Sequence, residues 1–93
     1  APAGMTEAEA FEARVSAVAD MYQLSPRETD VLHYLAKGRN AAYIQNKLTI
    51  SPHTVKSHIY SIYRKTDIHS QQSLMDFVEE YPLSPAGTRR DER

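Results

Sequence analysis

Apolar residues recur at the three- and four-residue spacing of α-helices in five separate stretches of this chain. We therefore predict helices over residues 6–22, 24–38, 40–48, 52–66 and 70–81, and an all-α fold. The apolar stripes are, in chain order, Phe11, Val15, Val18 and Tyr22; Val31, Leu32 and Leu35; Ile44 and Leu48; Val55, Ile59 and Ile62; and Leu74, Phe77 and Val78.

Capping residues mark the ends of these helices. Thr6 followed by Glu9, and Ser25 followed by Glu28, are capping boxes, in which two side chains satisfy the first backbone N–H groups of a helix. Gly38 suits the left-handed position that ends a helix. Further N-caps are expected at Asn40, Ser51 and Ser70, and Pro26 and Pro52 suit the first turns of their helices.

The connection between the third and fourth predicted helices is very short. Only Thr49, Ile50 and the N-cap Ser51 separate them, so the two helices must cross steeply rather than lie side by side. We therefore predict a helix-turn-helix, whose second helix projects from the body of the domain.

That second helix, residues 52–66, has two unlike faces. Opposite its apolar stripe lies a stripe of hydrogen-bond donors, cations and an aromatic ring, without a carboxylate: His53, Lys56, Ser57, Tyr60 and Arg64. Such a face suits an anionic, hydrogen-bonding surface such as double-stranded DNA. The alternative is an ordinary amphipathic helix whose polar face meets water, and periodicity alone does not separate the two.

The distribution of charge favours the DNA-binding alternative. Residues 1–30 carry two basic and six acidic side chains, and residues 67–93 carry three basic and six acidic ones. Residues 31–66 carry six basic side chains and no acidic one. Like charges repel and cost stability, so such a block usually serves a polyanionic partner. The overall net charge of −1 conceals this block.

Composition argues against enzymatic, metal-binding and membrane-spanning roles. The chain has no cysteine, which removes disulfides, thiolate metal sites and cysteine nucleophiles. His53 and His58 are five residues apart, so they lie on different faces of a helix and do not form a metal-binding pair. No Ser/His/Asp arrangement suggests catalysis, and no apolar run reaches the roughly 20 residues of a membrane span. We expect a cytoplasmic protein that is not an enzyme and needs no cofactor.

Residues from Leu24 to about Phe77 resemble the LuxR-type helix-turn-helix domains of bacterial transcription regulators. The matching positions are Leu24-Ser25-Pro26-Arg27-Glu28, Val31-Leu32, Leu35-Ala36-Lys37-Gly38, Ile44, Leu48, Ile50-Ser51, Thr54-Val55-Lys56, His58, Ile62, Lys65 and Leu74. The resemblance covers a little over half the chain, and the run from Ile50 to His58 is its most specific part.

The resemblance implies a four-helix DNA-binding domain over residues 24–81. Residues 1–23 then form a linker and an extra N-terminal helix, which either packs on the domain or connects it to a preceding module. The composition of residues 82–93, with Pro, Gly and charges, predicts a disordered tail.

The resemblance also implies sequence-specific binding, with residues 52–66 as the recognition helix in the major groove. Contacts to bases are expected from Lys56, Ser57 and Tyr60. Contacts to phosphates are expected from Lys47, Ser51, His53, Thr54, His58, Arg64, Lys65 and Gln71. In the family, the residues that match Ser51, Thr54, His58, Arg64 and Lys65 lie near phosphates or help to pack the recognition helix, and we expect His58 to be packed.

The family usually dimerises through its last helix and forms the C-terminal part of a larger sensor protein. The resemblance therefore implies a homodimer with Leu74, Phe77 and Val78 at its interface, and a covalently linked upstream sensor module outside this chain. A different function is also open, because an exposed patch of these three residues would equally serve a protein-interaction module of the same fold.

Three positions depart from the family pattern. Tyr43-Ile44-Gln45 stands where the family prefers an acidic residue followed by Ile-Ala. Gln71 stands where arginine is common, and Tyr60 replaces a short or basic residue. The operator sequence therefore cannot be copied from relatives.

Overall fold

The computed structural model describes residues 4–83. Within them it has no strand and five helices, which are α1 (Glu7–Met21), α2 (Pro26–Ala36), α3 (Ala41–Leu48), α4 (Pro52–Thr66) and α5 (Gln71–Glu80). The all-α fold predicted from the sequence is confirmed, and the bounds of α4 are those predicted. Pro82 and Leu83 are not helical, and the rest of the predicted disordered tail lies outside the described residues.

The predicted caps begin and end the helices. Thr6 and Glu9 form a reciprocal capping box at α1, with hydrogen bonds of 3.1 and 3.0 Å. Ser25 and Glu28 form the same arrangement at α2. Gly38 has a φ of +86° just after α2, and its N–H donates to the Leu35 carbonyl. These side chains satisfy backbone groups that a helix end would otherwise leave unpaired.

The helix α2 lies at the centre of the fold. It packs against α1, α4 and α5, while α3 packs against α4, and α1 against α5. Because burial of apolar surface is the main favourable contribution to folding, this shared core determines where α4 stands. The core side chains are Val15, Val18, Val31, Leu32, Leu35, Ala36, Ile44, Val55, Ile62, Leu74 and Val78.

The N-terminal helix α1 is packed on the domain. Val15 and Val18 enter the core, and the Arg14 Nε donates to the Tyr81 carbonyl at 3.2 Å. Edge-to-face contacts join the ring of Phe77 to the rings of Tyr22 and Tyr81. Of the two roles expected for this helix, packing on the domain is therefore the one that the structure describes.

The apolar stripe of α5 faces inward, which corrects the expectation of an exposed patch there. Leu74 and Val78 have no accessible surface within the single chain, and Phe77 is half-buried beneath Tyr22. The stripe is apolar because it completes the core. Leu74 and Val78 thus belong to the core of the single chain, and a dimer contact that includes the half-buried Phe77 stays a prediction.

The turn between α3 and α4 contains a left-handed residue. Thr49 has φ 55° and ψ 54°, and the N–H groups of Thr49 and Ile50 both bond to the Gln45 carbonyl. The half-buried Gln45 side chain, where the family prefers alanine, does not prevent α3 from packing on α4. A β-branched residue is strained at positive φ, so the conformation of Thr49 lowers the stability of the fold.

Replacing Thr49 by glycine should relieve that strain. We expect Thr49→Gly to raise the free energy of unfolding by about 1 kcal/mol, because glycine has no Cβ to clash in the left-handed region. Urea denaturation followed by circular dichroism measures the change. The matched control is Asn46→Gly, inside α3, which should instead lower it by about 0.3 kcal/mol, the difference in helix propensity between asparagine and glycine. Destabilisation by both variants would contradict the strain assigned to Thr49.

Candidate nucleic-acid interface

The two faces of α4 are oriented as its sequence pattern predicts. Val55 and Ile62 are buried in the core. On the opposite side His53, Lys56, Ser57, Tyr60 and Arg64 are all exposed, and the Tyr60 side chain is among the most exposed apolar ones of the described residues, at 70%. The predicted polar stripe is therefore one continuous accessible surface along the helix.

The first turn of α4 presents a pair of hydroxyl groups. The Ser51 Oγ accepts the Thr54 N–H at 3.1 Å and donates to the Thr54 Oγ1 at 2.9 Å. Because the Thr54 Oγ1 accepts the hydrogen bond from Ser51, its own hydroxyl proton remains available to a further acceptor. A hydroxyl and a helix N-terminus without acidic residues are suited to contact an anion.

The cations near α4 fall into three groups. Lys56 and Arg64 are exposed, and neither forms an ion pair with residues 4–83. Lys47 lies over the Tyr43 ring, with its Nζ 5.6 Å from the ring centroid. Lys65 forms an ion pair with Glu28 instead. The uncompensated charge of the interface therefore lies on α4 and on the outer side of α3.

The ion pair of Lys65 is part of a contact that joins α2 to α4. The Lys65 Nζ lies 2.8 Å from the Glu28 Oε1, and the Ser61 Oγ donates to the Glu28 Oε2 at 2.6 Å. Ser61 and Lys65 are four residues apart, so both face α2 from successive turns of α4. The Glu28 side chain is 9% exposed, and that of Lys65 is 30% exposed. One carboxylate thus fixes two positions along α4.

These contacts determine the ionisation of Glu28. Burial alone raises the pKa of this carboxyl group, but the hydrogen bonds from Lys65 and Ser61 act in the opposite direction. Together with the Ser25 N–H and the charge of Lys65, they lower the pKa of Glu28 from its ordinary value of 4.5 to about 2. The carboxylate is therefore ionised at neutral pH although it is nearly buried.

Two of the expected phosphate contacts, Lys65 and Gln71, bond to α2. The Lys65 ammonium is held by Glu28. The Gln71 Nε2 donates to the carbonyls of Leu35 and Arg39, at 3.1 and 2.9 Å, and so caps the end of α2. Both side chains therefore contribute to folding, and their contact with DNA stays a prediction. His58 is half-buried beside the exposed stripe.

Sequence reasoning missed two features of this surface. The capping-box pattern identifies Glu28 as a capping residue, but nothing local shows that both of its carboxylate oxygens also reach α4. Arg39 and Tyr43 were not among the expected site residues, although Arg39, Tyr43 and Lys47 have a four-residue spacing that places them on one side of α3. That spacing was the available signal.

A helix-turn-helix with an exposed, cationic second helix defines a class of DNA-binding proteins. Residues 22–78 match the family model described as "Bacterial regulatory proteins, luxR family". Because this match covers more than half of the chain, the chain belongs to the LuxR family of bacterial transcription regulators, as its resemblance indicated.

Curated relatives agree with this assignment. The chain is 40% identical over 60 residues to the Fimbriae Z protein of Escherichia coli K12, covering 64% of this chain and 29% of the relative. It is 46% identical over 48 residues to the Nitrate/nitrite response regulator protein NarP of the same organism, covering 52% and 22%. The chain thus spans less than a third of the length of these relatives. No solved structure matches it significantly.

Two further observations apply to the described part of the chain. Residues 4–83 contain no group of three or more side chains that could hold a metal ion. None of the five helices is long and apolar enough to cross a membrane.

The contact at Glu28 makes the stability of the fold dependent on pH. A carboxyl group whose pKa is lowered by folding stabilises the native state above its unfolded pKa, and this contribution is lost as the pH falls toward the folded pKa. We expect Glu28→Gln to lower the free energy of unfolding at pH 7 by about 1–3 kcal/mol, a range discounted for the partial exposure of Lys65. Urea denaturation of both proteins between pH 7 and pH 3 measures it.

The difference between the two proteins should shrink below about pH 5, because the Glu28 carboxyl group then takes up a proton in the unfolded wild-type chain while it stays ionised in the folded one. The matched control is Glu79→Gln on the exposed side of α5, which should stay within about 0.5 kcal/mol of wild type throughout. A difference for Glu28→Gln that is as large at pH 3 as at pH 7 would contradict the ionic role of Glu28.

Proposed function

We propose that this chain is the sequence-specific, double-stranded-DNA-binding part of a transcription regulator, with α4 as the recognition helix in the major groove. The observation that carries the proposal is the stripe from His53 to Arg64. It is exposed, cationic and free of carboxylates, while the opposite side of α4 is fixed by the core and by Glu28. A rigid helix that presents donors is what base recognition requires.

Residues near the middle of the stripe are proposed to read bases. Lys56 donates to guanine O6 and N7, and Ser57 and Tyr60 contact the adjacent base edges. The surrounding side chains are proposed to contact phosphates, which gives register and affinity without sequence information. They are Lys47, Ser51, His53, Thr54, His58, Arg64, Lys65 and Gln71.

The quaternary arrangement is also a proposal. The relatives are more than three times as long as the region that this chain matches, which supports an upstream sensor or receiver module joined to α1. We retain a homodimer in which each copy reads one half-site. Any contact through α5 must use its outer side chains, which include Gln72, Asp76 and Glu79.

The structure gives little support to the alternative of a protein-interaction module. That hypothesis required an exposed apolar patch of Leu74, Phe77 and Val78. Two of these side chains are fully buried within the described chain.

The proposal is tested by selecting duplexes from a random pool and then measuring binding to the selected sequence across a salt series. The logarithm of the binding constant should fall linearly as the logarithm of the salt concentration rises, with a slope of about −0.9 for each phosphate contacted. Binding to random and selected duplexes with equal affinity would contradict sequence-specific recognition.

The variant Lys56→Ala tests the base-reading role directly. We expect it to cost about 1–3 kcal/mol of binding free energy on the selected duplex and less on random DNA, because a base contact acts only at the matching sequence. Fluorescence anisotropy at fixed salt gives both values. The control is Arg27→Ala, an exposed arginine that pairs with Asp30 at the start of α2, which should bind like wild type. Equal losses on both duplexes would leave Lys56 a phosphate contact only.

A further inference from the structure

The outer side of α3 carries an aromatic ring between two cations. The Arg39 Cζ lies 4.5 Å from the centroid of the Tyr43 ring, and the Lys47 Nζ lies 5.6 Å from it. Both cationic side chains are exposed, whereas Tyr43 is half-buried and its ring packs against Tyr34 at a centroid distance of 5.8 Å. The ring is thus anchored to the domain, and the two cations rest on it at the surface.

The backbone of Arg39 is fixed as well. Its N–H donates to the Tyr34 carbonyl at 3.0 Å, and its carbonyl accepts the Gln71 Nε2 at 2.9 Å. Asn40, the next residue, caps α3 through the Tyr43 N–H. Backbone hydrogen bonds therefore fix the position of the Arg39 Cα, and the ring of Tyr43 fixes the position of the guanidinium group.

An aromatic ring holds a cation without neutralising it. A guanidinium that stacks on a ring uses its flat face, so the N–H groups at its edge remain available for hydrogen bonds to an outside acceptor. A carboxylate at position 43, which the family prefers, would occupy those donors and cancel the charge. Tyr43 instead leaves two oriented positive charges, that of Arg39 just before α3 and that of Lys47 on it, and α3 has no acidic residue.

We propose that Tyr43 is a positioning residue that holds Arg39 and Lys47 as a pair of phosphate contacts. The two side chains would bind the DNA backbone beside the groove that α4 enters. The inference rests on the proposed function and adds Arg39 and Tyr43 to it. In a helix-turn-helix the first helix crosses the sugar–phosphate backbone, which is where such a pair is useful. Side chains that are already ordered lose less conformational freedom when they bind.

The test begins with the free protein, before any DNA is added. The side-chain methylene protons of Arg39 and Lys47 should show upfield NMR shifts caused by the ring of Tyr43. These shifts should persist in Tyr43→Phe, which keeps the ring, and disappear in Tyr43→Leu. Ordinary random-coil shifts in the wild type would overturn the positioning role.

Binding to random and selected duplexes is then measured across a salt series, at a temperature where urea denaturation shows every variant to be folded. Arg39→Gln and Lys47→Gln should each reduce the salt slope by about 0.9, the value for one phosphate contact. Tyr43→Leu should weaken binding by about two- to fivefold on both duplexes alike, as expected for loss of exposed cation–π contacts. Tyr43→Phe should bind nearly as wild type, and Arg27→Gln serves as the charge-matched control.

A positioning role also predicts how the substitutions combine. In a protein that already carries Arg39→Gln and Lys47→Gln, Tyr43→Leu should have no further effect on binding, because Tyr43 acts through those two side chains. An undiminished effect there, or wild-type binding by Tyr43→Leu alone, would overturn this inference while the proposed function stands. A wild-type chain that binds no duplex even at low salt would overturn the proposed function, and this inference with it.

Discussion

The nearly buried carboxylate of Glu28 is the contact on which the orientation of α4 depends. Its two oxygens bond to the Ser25 backbone, the Ser61 hydroxyl and the Lys65 ammonium, so one side chain both caps α2 and holds α4. Apolar packing around Ile62 fixes the distance between these helices but resists sliding and rotation only weakly, since the hydrophobic effect has no direction. Hydrogen bonds to an ionised group are directional and strong, and they supply the rotational constraint.

The six cations of residues 31–66 have different surroundings: some contact other side chains of the chain, and some project from α4. Lys65 balances Glu28 inside the fold, and Lys37 lies over the Phe11 ring of α1. Arg39 and Lys47 rest on Tyr43. Lys56 and Arg64 project from α4 without an ion-pair partner in the described chain. Repulsion among these six cations is limited because three lie over aromatic rings and Lys65 is paired with Glu28. Lys56 and Arg64 face the surface for which we propose DNA binding.

The helices α1 and α5 support this arrangement from the other side of α2. Leu74 and Val78 close the core, the Gln71 side chain caps α2, and Arg14 secures the residue after α5. An attached upstream module would connect through α1, whose Val15 and Val18 share a core with α2. A change in the packing of α1 would thus act on the same central helix that holds α4.

The sequence by itself determined the five helices, their caps, the short turn between α3 and α4 and the two faces of α4. These features depend on residues within a few positions of one another, for which helical periodicity and capping chemistry suffice. Only the tertiary structure decided that Lys65 pairs with Glu28, which is 37 residues away, and that Gln71 caps α2. It also decided that the apolar stripe of α5 lies inside the core and that Tyr43 receives two cations. Periodicity shows which residues share a face of a helix, but what that face meets depends on how the helices pack.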